Sequence, residues 1–245
     1  MRLKVIGTGS KGNAYLLYND QECLMIECGV NIKDIKVALD FDFSKVVGCI
    51  LTHEHNDHSK SVQDVLRLGI KVYATAGTLD ALNIQNGYKH RATPLNRIDD
   101  FKAGNFKVKC FDVKHDAAEP SGFMIYHPEC GKVLFLTDTY YCPYTFKGLN
   151  NIIIEANYSD EIIAGKMTEM EFLKNRIIQS HMSLKTCIQT IKANDISAVN
   201  NIVLIHLSDS NSNEAQFRNE TMKATGCTVT VANNGDDIPF NKTPF

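Results

Sequence analysis

The chain has little that would staple or anchor it. None of its eight cysteines, at 23, 28, 49, 110, 130, 142, 187 and 227, falls in a C-x-x-C pair. Several sit inside apolar runs, Cys49 in VVGCILT and Cys110 in FKVKCFDV. That setting suits small, buried, reduced residues and argues against a disulfide framework. The opening MRLKVIGTGS lacks the apolar stretch of a signal peptide. No run approaches the ~18 apolar residues of a membrane span. The expected location is the cytoplasm, with no membrane partner. No repeat, low-complexity tract or long Pro/Gly/Ser linker interrupts residues 1–245, so one domain is expected. Charge of one sign is also scarce. The net charge is -2, which excludes a globally basic nucleic-acid binder but leaves room for a local basic patch.

What is present is an ordinary globular composition, 44% hydrophobic and 22% charged. It is long enough to bury a core without staples. The first half reads as strands at 3–6, 14–18, 23–27 and 46–51, with a helix at 32–39 between the last two. A helix at 61–68, a strand at 71–74 and a helix at 78–85 follow. Strands are expected at 106–113, 122–126, 133–136 and 152–154, then helices at 170–179, 184–194 and 213–225, interleaved with strands at 202–205 and 228–232. Two sheets between outer helices would bury that many apolar strands.

The strand ending at Leu51 runs into Thr52-His53-Glu54-His55-Asn56-Asp57-His58. His53, His55, Asp57 and His58 place four potential ligands within six residues, and three of the chain's eight histidines fall here. In an extended segment His53 and His55 point the same way and reach one cation. Asp57 and His58 come where the chain turns towards a helix, so they face elsewhere and suit a second cation. His115, Asp138 and His206 are each the first strong ligand type after an apolar strand. Nitrogen and carboxylate donors suit Zn²⁺ best, and also Mn²⁺ or Fe²⁺. Two cations ~3.5–4 Å apart can share a hydroxide and clamp both oxygens of a displacement.

At this point the chain resembles the metallo-β-lactamase superfamily, whose signature is H-x-H-x-D-H followed by further His, Asp and His ligands. The resemblance implies a four-layer αβ/βα sandwich of the α+β/α/β class, with two divalent metals at one edge of the sheets. His53, His55 and His115 would form the first site; Asp57, His58 and His206 the second; Asp138 the bridge. Further segments are similar to the YycJ-like (WalJ-like) branch. They are Gly7-Thr8-Gly9-Ser10-Lys11-Gly12-Asn13-Ala14, Thr137-Asp138-Thr139, Ile154-Glu155-Ala156-Asn157, Ser180-His181-Met182-Ser183 and His206-Leu207-Ser208. The order also resembles tRNase Z and the cyclic phosphodiesterase PhnP. Lys11, Met182 and Ala156 depart from the branch pattern, and none of the departures removes a ligand. The resemblance implies phosphodiester hydrolysis by a metal-bridging hydroxide, and within the branch DNA exonuclease activity. The alternative is another hydrolase on the same fold: a cyclic phosphodiesterase, thioesterase, lactonase or β-lactamase.

Beyond the ligands, His181 is the expected proton donor, since an alkoxide leaving group needs a proton at neutral pH. Glu155 is the expected partner that orients it or keeps it cationic. Asp57 is expected to accept a proton from the bridging water as well as bind metal. The Gly9-Ser10-Lys11-Gly12-Asn13 loop lacks Walker spacing and reads as a tight turn. Lys11 and Lys60 are the expected basic contacts for a polyanion. His90 and His127 read as solvated loop positions, and no role is expected for Ser183 or Ser208 as nucleophiles.

Overall fold

The computed structural model describes residues 1–98, 100–165 and 177–244. The helix expected at 170–179 lies mostly outside these residues; 177–180 are helical.

Leu3 and Val5 are buried in β1 (Arg2–Gly7) while Arg2 and Lys4 face outward, the period of two that a half-buried strand requires. β1 pairs antiparallel with β2 (Ala14–Tyr18), and β2 with β3 (Cys23–Ile26). From β3 the pairing turns parallel through β4 (Val46–Ile50), β5 (Val72–Thr75) and β6 (Ala92–Leu95). Parallel pairing demands crossovers. The connecting helices are α1 (Ile32–Ala38), α2 (Asn56–Ser59), α3 (Val62–Arg67) and α4 (Ala76–Ala81).

The second sheet repeats this plan. β7 (Phe101–Ala103), β8 (Phe106–Asp112), β9 (Ser121–His127) and β10 (Gly131–Leu136) are antiparallel. β10, β11 (Leu149–Glu155), β12 (Asn201–Ile205) and β13 (Thr228–Val231) are parallel. α5 (Asp160–Ala164) follows β11, and α6 (Leu184–Lys192) and α7 (Glu214–Thr225) flank β12 in sequence. Ser183 caps α6 by accepting from Thr186 N, and Gly226, in the left-handed region at φ 70°, ends α7. The chain then returns to the first sheet, where β14 (Asp237–Pro239) pairs with β1. Each sheet has seven strands.

The inner faces meet in one cluster that includes Leu3, Val5, Leu17 and Ile26 from the first sheet, and Phe106, Phe123, Phe135 and Val203 from the second. Burying each such side chain contributes roughly 1.5–3 kcal/mol. A second cluster packs α6 and α7 on the outer face of β10–β13, and a third packs α1 and α3 on the outer face of the first sheet. These are the four layers of the expected sandwich.

Three short strands, β6, β7 and β14, were not expected. They run three or four residues at sheet edges, too short for an apolar period to register. His127 corrects its expected place in a solvated loop. β9 extends to it, and alternation turns Tyr126 outward and His127 inward. There its Nε2 lies 3.1 Å from Glu22 Oε1, under the ring of Phe106.

Candidate metal centre

β4, β8, β10, β11 and β12 all end at the same edge of the sandwich. The residues just past their ends are the histidines and acids singled out in the sequence. Leu51 and Thr52 continue β4 into His53, and α2 carries Asp57 and His58. His115 lies three residues after β8, Asp138 two after β10, and His206 directly after β12. Glu155 is the last residue of β11. Asp138 and His206 take positive φ, 46° and 56°, and Glu27 at the end of β3 takes 62°. Non-glycine residues take this conformation uncommonly, Asp and His more readily than most. Here it bends the chain sharply after a strand and throws the side chain across the edge.

All seven expected ligands converge. One nitrogen from each of His53, His55 and His115 lies within 4.8 Å of the others. Asp57, His58, Asp138 and His206 form a second group of the same tightness. Asp138 Oδ2 stands between them, 3.8 Å from His53 Nε2, 3.7 Å from His115 Nε2 and 3.3 Å from His58 Nε2. Asp57 Oδ2 is 3.5 Å from both His58 Nε2 and His206 Nε2. A third group joins Asp138 and His206 to Glu155 and His181.

The far side of several of these rings is flanked by polar groups. Thr52 Oγ1 lies 2.9 Å from His53 Nδ1, and the Ser180 carbonyl accepts from His115 Nδ1 at 3.1 Å. Glu27, fully buried, lies 3.6 Å from His58 Nδ1 and accepts from Thr52 N. Asn157 donates to the His206 carbonyl at 2.8 Å. Glu155 Oε1 is 2.7 Å from His181 Nδ1 and 3.1 Å from His206 Nδ1, so one oxygen serves both rings. Glu155 Oε2 accepts from Met182 N and Thr139 N, which stitches the His181 segment and the Asp138 turn onto β11. Of these supports only Glu155 was expected. Glu27, Thr52 and Asn157 are polar residues at the ends of apolar strands, a signal present in the sequence but shared with ordinary turn residues.

These residues fit divalent cations. His53 Nε2 and His206 Nε2 are buried without a hydrogen-bond partner, and His115 Nε2 faces His55 Nδ1 at 3.2 Å. Buried ring nitrogens left without a donor suit a shared cation. Electrostatics agree. Burial lowers the His53 and His115 imidazoles, which keeps them neutral as ligands must be. At His58 and His206 burial acts the same way, but Asp138 outweighs it with help from Asp57, and His206 is raised to about 10. Burial would raise the Asp57 carboxyl, yet hydrogen bonds from His206 and His58 hold it below the usual carboxylate range. Without metal, imidazoles must charge to balance buried carboxylates; a dication would do so instead. A cleft of about 220 Å³ opens over the cluster, with Ser10, Asp116, Ser180 and His181 on its walls.

The glycine loop is a turn, as expected. Gly12 N donates to Gly9 O, and Asn13 N donates to Asp57 O at 2.7 Å. The Asn13 side chain bridges Gly9 and the α2 backbone and lies 3.2 Å from His58 Nε2. The loop thus braces the ligand turn. Lys11 is paired with Asp209 on the surface. It and Lys60 border a separate hollow of about 770 Å³ that also carries Asp34, Asp209 and Glu214, so this region is mixed in sign.

The profile of the Beta-lactamase superfamily domain matches residues 28–207. The chain is similar to the exodeoxyribonuclease YycJ of Bacillus anthracis, 29% identical over 177 residues, 66% of this chain and 65% of that protein. It thus spans just under two thirds of that relative's length. It is 26% identical to the exodeoxyribonuclease WalJ of Streptococcus pneumoniae over 232 residues, 86% of this chain and 82% of the other. Among solved structures, the metallo-β-lactamase fold protein YhfI from Bacillus subtilis superposes with a TM-score of 0.74 at 17% identity, covering 96% of this chain and 98% of the other. A diphosphatase of the PhnP family gives 0.68 at 16% identity, with 97% of both chains covered. The short form of human tRNase Z gives 0.65 at 18%, with 98% and 99% covered.

Proposed function

Because this chain belongs to the β-lactamase superfamily and carries its metallo-hydrolase fold, we propose that it is a two-metal phosphodiesterase that degrades DNA as an exonuclease. His53, His55 and His115 would hold one cation and Asp57, His58 and His206 the other, with Asp138 within reach of both groups. The donor set favours Zn²⁺, and Mn²⁺ or Fe²⁺ suit the same atoms. When bound, two such cations supply a water acidic enough to attack a phosphorus atom at neutral pH.

The chain's own residues do the rest. Asp57 would bind metal and is ionised, so its second role would be to accept a hydrogen bond, and in turn a proton, from a water held there. His181 lines the cleft with Nδ1 turned to Glu155 at 2.7 Å, which leaves Nε2 for the leaving oxygen. Burial works against a charged His181, but the Glu155 carboxylate outweighs it and raises the imidazole above its ordinary value. A protonated imidazole next to a buried metal cluster is what an alkoxide leaving group requires. The His181–Glu155 pair is the observation that carries the reading, because a thiolate leaving group, as in thioester hydrolysis, needs such a donor less. The exodeoxyribonuclease names of two relatives support DNA as the substrate. The cysteines are free, which suits the reducing cytoplasm.

The test is His181→Ala. It should lower turnover of single-stranded DNA by ~10²–10⁴, with far less loss on bis-p-nitrophenyl phosphate, whose leaving group needs no proton, and with metal content unchanged. Equal losses on both substrates would remove the proton-donor role. Loss of one metal would make His181 a ligand, as its grouping with Asp138 and His206 allows.

A further inference from the structure

The helices that cover the second sheet pack on β10–β13, and the outward face of β7–β9 carries a different surface. The register assigns it. Lys102 of β7 is opposite Lys107 of β8; Lys107 is opposite Tyr126 of β9; Tyr126 is opposite Lys132 of β10; Lys109 is opposite Met124. Lys102, Lys107, Lys109, Tyr126 and Lys132 are all exposed, with the Lys107 ammonium 6.0 Å from the Tyr126 ring centroid. Among the described residues no carboxylate occupies an outward position of these four strands, and none of the four lysines forms an ion pair. In a chain of net charge -2, that concentrates positive charge on one face.

The face also points somewhere. β8 runs from Lys107 through Lys109 and Phe111, and the same chain reaches the ligand His115 eight residues after Lys107. Phe111 is half-buried and packs edge-on against the exposed Tyr144 at 5.8 Å. Lysines, then aromatic rings, then the metal cluster therefore follow one another along one strand. Eight residues span at most ~26 Å at ~3.3 Å each. One strand of nucleic acid, with a phosphate every ~3.4 Å in the B-form, covers that distance in about eight nucleotides.

We propose that this face binds the trailing part of a single DNA strand whose end lies in the metal cleft, the lysines contacting phosphates and Tyr126 offering a ring to a base. The proposal rests on the DNA-exonuclease reading and specifies where that substrate is held. The mixed-sign hollow at Lys11 and Lys60 is the less favourable track.

The experiment compares wild type with the triple variant Lys107→Gln/Lys109→Gln/Lys132→Gln. Binding of fluorescein-labelled dT30 is followed by anisotropy across a salt series, and hydrolysis of dT30, dT4 and bis-p-nitrophenyl phosphate is measured alongside. The variant should bind dT30 about 10- to 100-fold more weakly near 0.1 M salt, with the salt slope shallower by about 2, since each neutralised phosphate on a single strand contributes ~0.7. KM for dT30 should rise with kcat held. Hydrolysis of dT4, too short to reach the lysines, and of bis-p-nitrophenyl phosphate should not change, which also reports an intact fold. Unchanged dT30 binding and slope would overturn the proposal while leaving the nuclease reading intact. Failure of wild type to cut either oligonucleotide, with lysine-dependent binding retained, would instead overturn the nuclease reading.

Discussion

One oxygen of Glu155 faces two imidazoles, and that single placement joins a candidate metal ligand to the proposed proton donor. His206 and His181 stack at 5.3 Å between ring centroids, both with Nδ1 towards Glu155 Oε1. Removing the negative charge lowers the His181 value whatever cations are bound, because the charged imidazole loses its nearest opposite charge. As the proposed proton donor His181 would have to be protonated, so on that reading activity on DNA is present below its folded value and lost as pH rises through it. Glu155→Gln should therefore shift the alkaline limb of kcat on DNA to lower pH. The same limb on bis-p-nitrophenyl phosphate should stay in place. A pH profile of DNA turnover identical in the two proteins would show that Glu155 has only a structural role.

At the scale of elements, the site depends on how closely α2 is pressed onto the end of β3. Gly29, just past β3, leaves no room for a side chain: a Cβ there would overlap the Asp57 carbonyl and stand 2.6 Å from His58 N. Cys28 N donates to His58 O and Asn13 N to Asp57 O, so two strands' ends clamp one helical turn. Gly29→Ala should push α2 away, cost ~1–3 kcal/mol as overpacking does, and lower the occupancy of the second metal. Gly87→Ala, with nothing within 4 Å of the added carbon, is the control and should stay within ~0.5 kcal/mol. Elemental analysis with thermal melts decides it; full metal occupancy in Gly29→Ala would refute the clamp. This bracing was not legible in the sequence. The H-x-H-x-D-H run marked the candidate ligands, but Gly29 and Asn13 lie 28 and 44 residues before Asp57, in the turn they hold, and only pairing across the sheet edge brings them there.

Across the whole molecule, the metal cluster is a seam between the two sheets. His53, His55, Asp57 and His58 come from the first, and His115, Asp138 and His206 from the second. Cations bound at this seam favour the folded sandwich over the unfolded chain, by ~2.7 kcal/mol for each site at a hundredfold excess over Kd. Chelation leaves the ring nitrogens of His53 and His206 orphaned and the Asp57 and Asp138 carboxylates to be balanced by imidazoles alone. For a chain of this size, where ~1 kcal/mol moves Tm by about 2–4 °C, stripping the metals should lower Tm by roughly 5–11 °C per site, and readdition should restore it. An unchanged Tm with metal loss verified by elemental analysis would mean that the hydrophobic core alone holds the sheets together.

The sequence by itself determined the candidate ligands and the class of fold. His53, His55, Asp57 and His58 are close in the chain, so their geometry follows from local backbone, and the apolar runs of β4, β8, β10, β11 and β12 are long enough to mark where each strand stops. Only the tertiary structure decided what supports those residues and which lysines share one face. Glu27, Asn157 and the inward turn of His127 depend on partners far along the chain, and the lysines of β7, β8 and β10 become one surface only through antiparallel register. Spacing in sequence reports local geometry; a charge pattern spread over three strands, like a second shell around a metal, exists only once the sheets have formed.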